Sequence, residues 1–245
     1  MKIRQFKSPN FDPRPRSSSA IKFIIIHYTG MQSTRVSLKR LISQKAKVSS
    51  HYLISEKGAV FKLVDENNVA WHAGQSKWKS ISNLNNRSIG IELSNKGHFI
   101  KYESYKKKQL ASLVILLKLL VKKFKVPHEN ILGHSDIAPL RKKDPGEKFP
   151  CKELAKRGIG IWHSISDNKL KKNRKIELDK ISEKKFYKNL SKFGYVVKKN
   201  ENLKNRRFNN YIVKAFQRRF RQELVNGKLD KECLIISNNL VEKFN

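Results

Sequence analysis

Residues 21–28, IKFIIIHY, are almost wholly apolar and β-branched over the length of one strand. A continuous run of this kind fits a central strand buried on both faces. SIGIEL, residues 88–93, reads as a second buried strand. HYLISEKGAVFKLV, residues 51–64, reads as two strands around the turn EKG, where Gly58 is free to take a positive φ. VSLKRLISQ has apolar spacing compatible with a helix. From Tyr105 to Val126 the spacing is again helical, with Leu110, Leu113, Val114, Leu117, Val121 and Phe124 on one stripe and Pro127 as the stop. ILGHSDIAPLRKKDPGEKFP follows as a short strand and a long loop, while residues 67–87, polar around Trp71, His72, Gly74 and Trp78, read as an exposed loop. Strands alternating with helices predict an α/β domain over residues 21–165, with a mixed central sheet flanked by helices.

The ends of the chain differ from this middle. Residues 1–20 are polar and rich in Pro and Ser, and predict an extended arm or disorder. Residues 166–180, SDNKLKKNRKIELDK, read as a linker. Beyond it, FYKNLSKFGY, NNYIVKAFQRRFRQEL and LIISNNLVEKF predict a small bundle of three helices over 181–245, without histidine.

Charge adds a possible partner but no reaction. The 245 residues hold 54 Lys and Arg against 20 Asp and Glu, for a formal net charge of +34. Such a chain is drawn to polyanions, yet Lys, Asn and Ile are frequent throughout, and that bias alone would produce the charge. KLKKNRK and QRRFR raise a nucleic-acid reading, but no helix-turn-helix, zinc-finger or RNP-type motif accompanies them. Two cysteines, Cys151 and Cys233, make neither a disulfide framework nor a Cys-rich zinc site. The longest apolar stretch, Leu110–Val121, is interrupted by Ser112 and Lys118 and is shorter than the ~20 residues of a membrane span. The opening residues lack the apolar core of a signal peptide, so the cytoplasm is one expected location.

The candidate chemistry sits at strand ends. His27 closes the most apolar strand, and sites in α/β sheets gather at the carboxyl ends of strands. His134 ends another short apolar run, with Asp144 in the loop after it. Two imidazoles, a carboxylate and an open position make a catalytic zinc set, although spacing alone equally allows three unrelated polar residues. Glu92 lies between Ile91 and Leu93, where a carboxylate needs a partner or a purpose, and burial suits it to acid–base work. Lys142, two residues before Asp144, could stabilise an oxyanion.

Taken in order, IIIHYTG, SSHYLISEKGAVFKLV, AWHAG, SIGIEL and above all GHSDIAPLRKKDPGEKFP resemble the zinc amidases of the N-acetylmuramoyl-L-alanine amidase type 2 family, most of all its AmiD-like envelope branch. The resemblance covers about residues 8–162 and implies the fold shared with peptidoglycan recognition proteins. It implies one Zn²⁺ held by His27, His134 and Asp144, with Glu92 as catalytic carboxylate and Lys142 at the transition state. His51, Trp71, His72 and Arg87 are implied as a substrate-binding neighbourhood. The implied reaction is hydrolysis of the amide joining N-acetylmuramic acid, or its anhydro form, to L-alanine in peptidoglycan or muropeptides. Where the family often has Trp after its FP dipeptide, this chain has Cys151. KFGYVV, IVKAFQRRFR and NGKLDKE resemble a peptidoglycan-binding helical module, whose aromatic and Arg side chains are expected to dock on the wall. The resemblance favours the cell envelope or periplasm. A cytoplasmic recycling amidase for anhydro-muropeptides and a non-catalytic peptidoglycan-binding protein are the alternatives.

Overall fold

The computed structural model describes residues 2–13, 15–199 and 202–244. Met1 and Arg14 of the expected arm, and Asn200, Glu201 and Asn245 of the expected helical bundle, lie outside the described residues. The strands are β1 (Ile3–Gln5), β2 (Phe11–Asp12), β3 (Phe23–Tyr28), β4 (Tyr52–Ile54), β5 (Val60–Lys62), β6 (Val69–Ala70), β7 (Lys77–Trp78), β8 (Ile81–Ser82), β9 (Ser88–Leu93) and β10 (Ile131–Gly133). The helices are α1 (Thr34–Leu41), α2 (Gly97–Ile100), α3 (Lys107–Phe124), α4 (His134–Ile137), α5 (Cys151–Lys156), α6 (Asp167–Asn173), α7 (Lys180–Phe193), α8 (Leu203–Phe220) and α9 (Lys231–Phe244).

Six strands form one mixed sheet in the order β1-β5-β4-β9-β3-β10. Its one antiparallel pair is β4–β5, the hairpin foreseen around Gly58, while β4–β9, β9–β3 and β3–β10 run parallel. Side chains alternate across a strand, and here each face has its own cover. Ile24 and Ile26 of β3 with Ile89, Ile91 and Leu93 of β9 meet Leu113, Leu116, Leu117 and Leu120 of α3. Phe23 and Ile25 of β3 with Leu132 of β10 face the other way. There they join one apolar cluster with Phe186 and Leu190 of α7, Phe216 and Phe220 of α8 and Ile236 of α9. The C-terminal helices are therefore the second layer over the sheet, and the strand run buried on both faces has its physical reason.

Several expectations need correction. The stripe of α3 is turned: Leu116 and Leu120 are buried, whereas Leu110, Val114 and Val121 are half-buried. The rotation brings Gln109 inward, where its Nε2 donates to the Ile54 and Ser94 carbonyls. Residues 67–87 are not an exposed loop. They hold β6, the β7–β8 hairpin and a 3₁₀ turn at Leu84–Arg87, with Trp78 and Leu84 inside the core. Their polar composition serves internal hydrogen bonds: Asn85 Oδ1 accepts from the backbone N–H groups of His72 and Ala73. Within 166–180, α6 is folded, with Leu170 buried and Arg174 paired to Glu232. The AFQRRFR stretch is turned inward, with Ala215, Phe216, Gln217, Arg219, Phe220 and Arg221 buried, so it does not present a docking face. The arm adds β1 to the sheet edge and pairs β2 with β6.

Candidate active site

Register brings the first pair together. His27 and Glu92 are direct partners across the parallel β3–β9 ladder, near the carboxyl ends of both strands. Alternation puts both on the face opposite α3. His134 begins α4 immediately after β10, the other neighbour of β3. Asp144 returns from the following loop, where its carbonyl accepts from Ser135 N.

Three atoms converge there. His27 Nδ1 and His134 Nδ1 are 2.9 Å apart, and each is 3.0 Å from Asp144 Oδ2. All three residues are buried. Hydrogen-bond partners fix what each atom offers. His134 Nε2 is 3.1 Å from the Ala73 carbonyl, which only accepts, so Nε2 carries a proton and Nδ1 is the nitrogen through which the ring can coordinate. For His27 the chain of reasoning is longer. Ser88 Oγ–H donates to the Leu84 carbonyl at 2.6 Å, so the 3.3 Å contact with His72 Nε2 has that nitrogen as donor. Neutral His72 then has a bare Nδ1, which accepts from His27 Nε2–H at 3.0 Å. His27 Nδ1 is left with a lone pair. Burial, reinforced by His134, pushes the His27 pKa down to about 4, and burial, followed by His27, pushes that of His72 well below its ordinary value, so both rings are neutral at neutral pH. Burial raises the Asp144 carboxyl, but any proton that His134, and then His27, turns toward it outweighs burial and holds the group well below the usual range, so Asp144 is ionised.

Two imidazole Nδ1 atoms, each a lone-pair donor in the tautomer its other nitrogen fixes, thus converge with a carboxylate oxygen. Such a set repels itself unless a cation joins it, and two His with one carboxylate is a catalytic zinc set. The residues present fit a zinc ion.

These atoms open on a cleft of about 570 Å³ lined also by Glu92, Lys142, Phe99 and Arg141. Glu92 Oε2 is buried and has no hydrogen-bond partner among the described residues. Burial, with Asp144 adding and Lys142 opposing, pushes its pKa up to about 8. Arg141 ties the loop to the 70s segment by donating to the Gln75 and Ala73 carbonyls. Phe99, 91% exposed, and Lys143, whose Nζ is 5.7 Å from its ring centre, stand at the rim; sequence patterning gave no signal for either.

The expected substrate neighbourhood is divided. His72 is part of the cleft lining, and it also acts on His27 through the hydrogen bond above. His51 is fully buried, accepting from Gly90 N on one ring nitrogen and contacting Arg16 and the Asn68 carbonyl with the other. Trp71 and Arg87 are on the surface outside the cleft lining.

The chain is similar to known proteins in sequence and in fold. The N-acetylmuramoyl-L-alanine amidase family model matches residues 17–147. The N-acetylmuramoyl-L-alanine amidase AmiD of Escherichia coli (strain K12) is 34% identical, covering 95% of this chain and 88% of its own. The 1,6-anhydro-N-acetylmuramyl-L-alanine amidase AmpD of Haemophilus influenzae is 31% identical over 60% of this chain and 86% of its own. Among solved structures, the complex of E. coli AmiD with anhydro-N-acetylmuramic acid-L-Ala-D-gamma-Glu-L-Lys superposes with a TM-score of 0.80 at 33% identity, covering 95% of this chain and 92% of that one. AmpDh3 from Pseudomonas aeruginosa gives 0.80 at 30% identity, covering 95% and 94%.

Proposed function

This chain belongs to the N-acetylmuramoyl-L-alanine amidase family, and from that premise we propose that His27, His134 and Asp144 hold one zinc ion per chain in the service of amide hydrolysis. The protein is an amidase of the bond between N-acetylmuramic acid and L-alanine. The observation that carries the metal reading is the meeting of two buried imidazole Nδ1 atoms and a carboxylate oxygen at 2.9–3.0 Å.

When bound, zinc supplies Lewis acidity to the scissile carbonyl and to water. The chain's own residues supply the rest. Glu92, whose pKa is lifted by burial, takes the proton of the attacking water and returns it to the leaving amine of L-alanine. Lys142, in the cleft wall beside Asp144, donates to the oxygen that gains negative charge as the carbonyl becomes tetrahedral. No covalent enzyme intermediate is required, since the nucleophile in this reading is water, and Cys151 is not part of the cleft lining. Anhydro-N-acetylmuramyl peptides, the ligand class of the AmiD complex, are the proposed substrates, and Phe99 and Lys143 are part of the cleft lining that would receive them.

In this reading residues 21–165 carry the catalytic groups and 181–245 the helical unit, joined through a partly helical 166–180 and preceded by the arm 1–20. The cell envelope is the proposed location, on the family resemblance, with the cytoplasm as the alternative. The deciding experiment incubates the full chain with muropeptides, with and without a chelator, and follows the products by mass spectrometry. Free stem peptide should form, stop with chelator, and return with about one equivalent of zinc. Unchanged turnover after complete metal removal would refute the metal reading.

A further inference from the structure

The ligand loop is gripped from outside its own unit. Asp136 lies two residues after His134 in α4 and is 3% exposed. Its Oδ2 accepts from Gly133 N at 2.8 Å, which fixes the residue just before His134. The carboxylate is in turn held by the C-terminal helical unit. Tyr195 Oη–H donates to Asp136 Oδ1 at 2.6 Å, and Arg219 Nη1 lies 3.4 Å from Oδ2. Arg219 Nη2 also donates to the Ile131 carbonyl, at the start of β10.

Nothing in this arrangement has room to drift. Tyr195 is buried with its ring centre 4.7 Å from that of Trp78, and the Arg219 guanidinium lies over the rings of Phe193 and Phe220. A buried carboxylate is costly unless it is paired and hydrogen-bonded, and both its cationic and its phenolic partner come from the helical unit. The next turn reinforces the grip on the Asp144 side. Arg218 Nε is 3.8 Å from Glu147, and Gln222 Nε2 donates to the Phe149 carbonyl. The end of α8 and the residues just beyond it therefore touch both α4, which begins at His134, and the loop after Asp144.

We propose that the helical unit is a positioning element of the amidase site: Tyr195 and Arg219, acting through Asp136, set the orientation in which His134 presents Nδ1. Metal sites are tuned by the groups that orient their ligands, and here that outer layer is contributed by a different unit of the chain. This inference rests on His134 being a metal ligand.

The test uses the full chain, loaded with zinc or with cobalt(II). Tyr195→Phe removes one hydroxyl and keeps the ring against Trp78. Arg219→Gln removes the charge. Each should raise the zinc dissociation constant, measured by chelator competition, roughly tenfold, and should shift the visible bands of the cobalt form. Asn189→Ala is the control for stability alone. Asn189 is buried within the helical unit, where its Nδ2 donates to Ser237 and Asn238 without touching the ligand loop. It should lower the melting temperature and leave zinc affinity and cobalt bands as in the parent. If Arg219→Gln does not fold, Tyr195→Phe decides. Wild-type zinc affinity and cobalt bands in Tyr195→Phe would overturn the inference. His134→Ala separates the two layers of the argument. Retained zinc in that variant would refute the ligand reading, whereas zinc lost there and kept in Tyr195→Phe would refute only the positioning role.

Discussion

At the scale of single residues, the proton inventory of the site is decided by a carbonyl remote from it. Leu84 O orders Ser88, Ser88 orders His72, and His72 orders His27. Gly90 makes room for this relay, since a Cβ there would lie 2.4 Å from His72 Cγ. Ser88→Ala frees the His72 ring to take either tautomer and should weaken zinc binding about tenfold, while His72→Phe, which leaves His27 Nε2–H without an acceptor, should approach ~100-fold. Isothermal titration against a competing chelator reads both, and wild-type zinc affinity in both would show that the relay does not set the ligand. Glu92→Gln tests the proton carrier: zinc content should hold while kcat falls by roughly 10²–10⁴. Lys142→Ala should lower kcat by about 10²–10³ with KM little changed, the mark of a donor used only at the transition state. A near-parental kcat in either variant removes that residue from the mechanism. His27 and Glu92 were legible in the sequence because each closes or interrupts an apolar strand, and a charge there asks for an explanation. The relay was not. The resemblance put His72 in the substrate neighbourhood, and it does line the cleft, but a histidine between Trp71 and Ala73 carries no sign that its ring also orders His27.

At the scale of elements, periodicity located strands and helices well and their buried faces less well. The apolar runs of β3 and β9 were plain, since both faces are covered and alternation has nothing to distinguish. The α3 face was displaced because a buried Gln109, satisfied by two carbonyls, does not register as apolar. The β7–β8 hairpin escaped notice for a related reason: Trp78 is buried by residues more than a hundred positions away, Phe193 and Tyr195. That contact yields a prediction at the end of α7. Gly194 has φ +135°, and a Cβ on it would lie 2.4 Å from Trp78 Cε2. Its carbonyl also accepts from Lys79 N, so the segment cannot easily back away. Gly194→Ala combines backbone strain of about 1–3 kcal/mol with a clash against a large fully buried side chain. Chemical denaturation should show a loss of at least ~2 kcal/mol, and a loss below ~0.5 kcal/mol would mean that the Trp78 contact is slack.

At the scale of the whole molecule, the question is whether the helical unit can be removed. The sequence invites that idea, because every candidate catalytic residue precedes residue 165 and a charged stretch follows. The AmpD relative also aligns with 60% of this chain using 86% of its own length, so it is a shorter protein. The packing here argues otherwise. Phe23, Ile25, Leu132, Ile137, Trp78 and Leu84 share one apolar cluster with side chains of α7, α8 and α9. Uncovering a fully buried side chain of this size costs roughly 1.5–3 kcal/mol. Several of them together approach the ~5–15 kcal/mol that holds a domain folded at all. Truncation after residue 165 also strips Asp136 of Tyr195 and Arg219, leaving a carboxylate beside His134 without its main partners. The truncated chain should therefore lose its cooperative thermal transition, bind a dye specific for exposed apolar surface, and cleave even small muropeptides far more slowly than the full chain. Restoring solubility alone should not restore the rate: replacing Phe23 and Leu132 by polar residues in the truncated chain would mask the exposed face but leave Asp136 unpartnered. A truncated chain that unfolds cooperatively, holds zinc at the parental affinity and turns over small muropeptides at the parental rate would show instead that the sheet face is self-sufficient and that the helices serve only the binding of larger substrates.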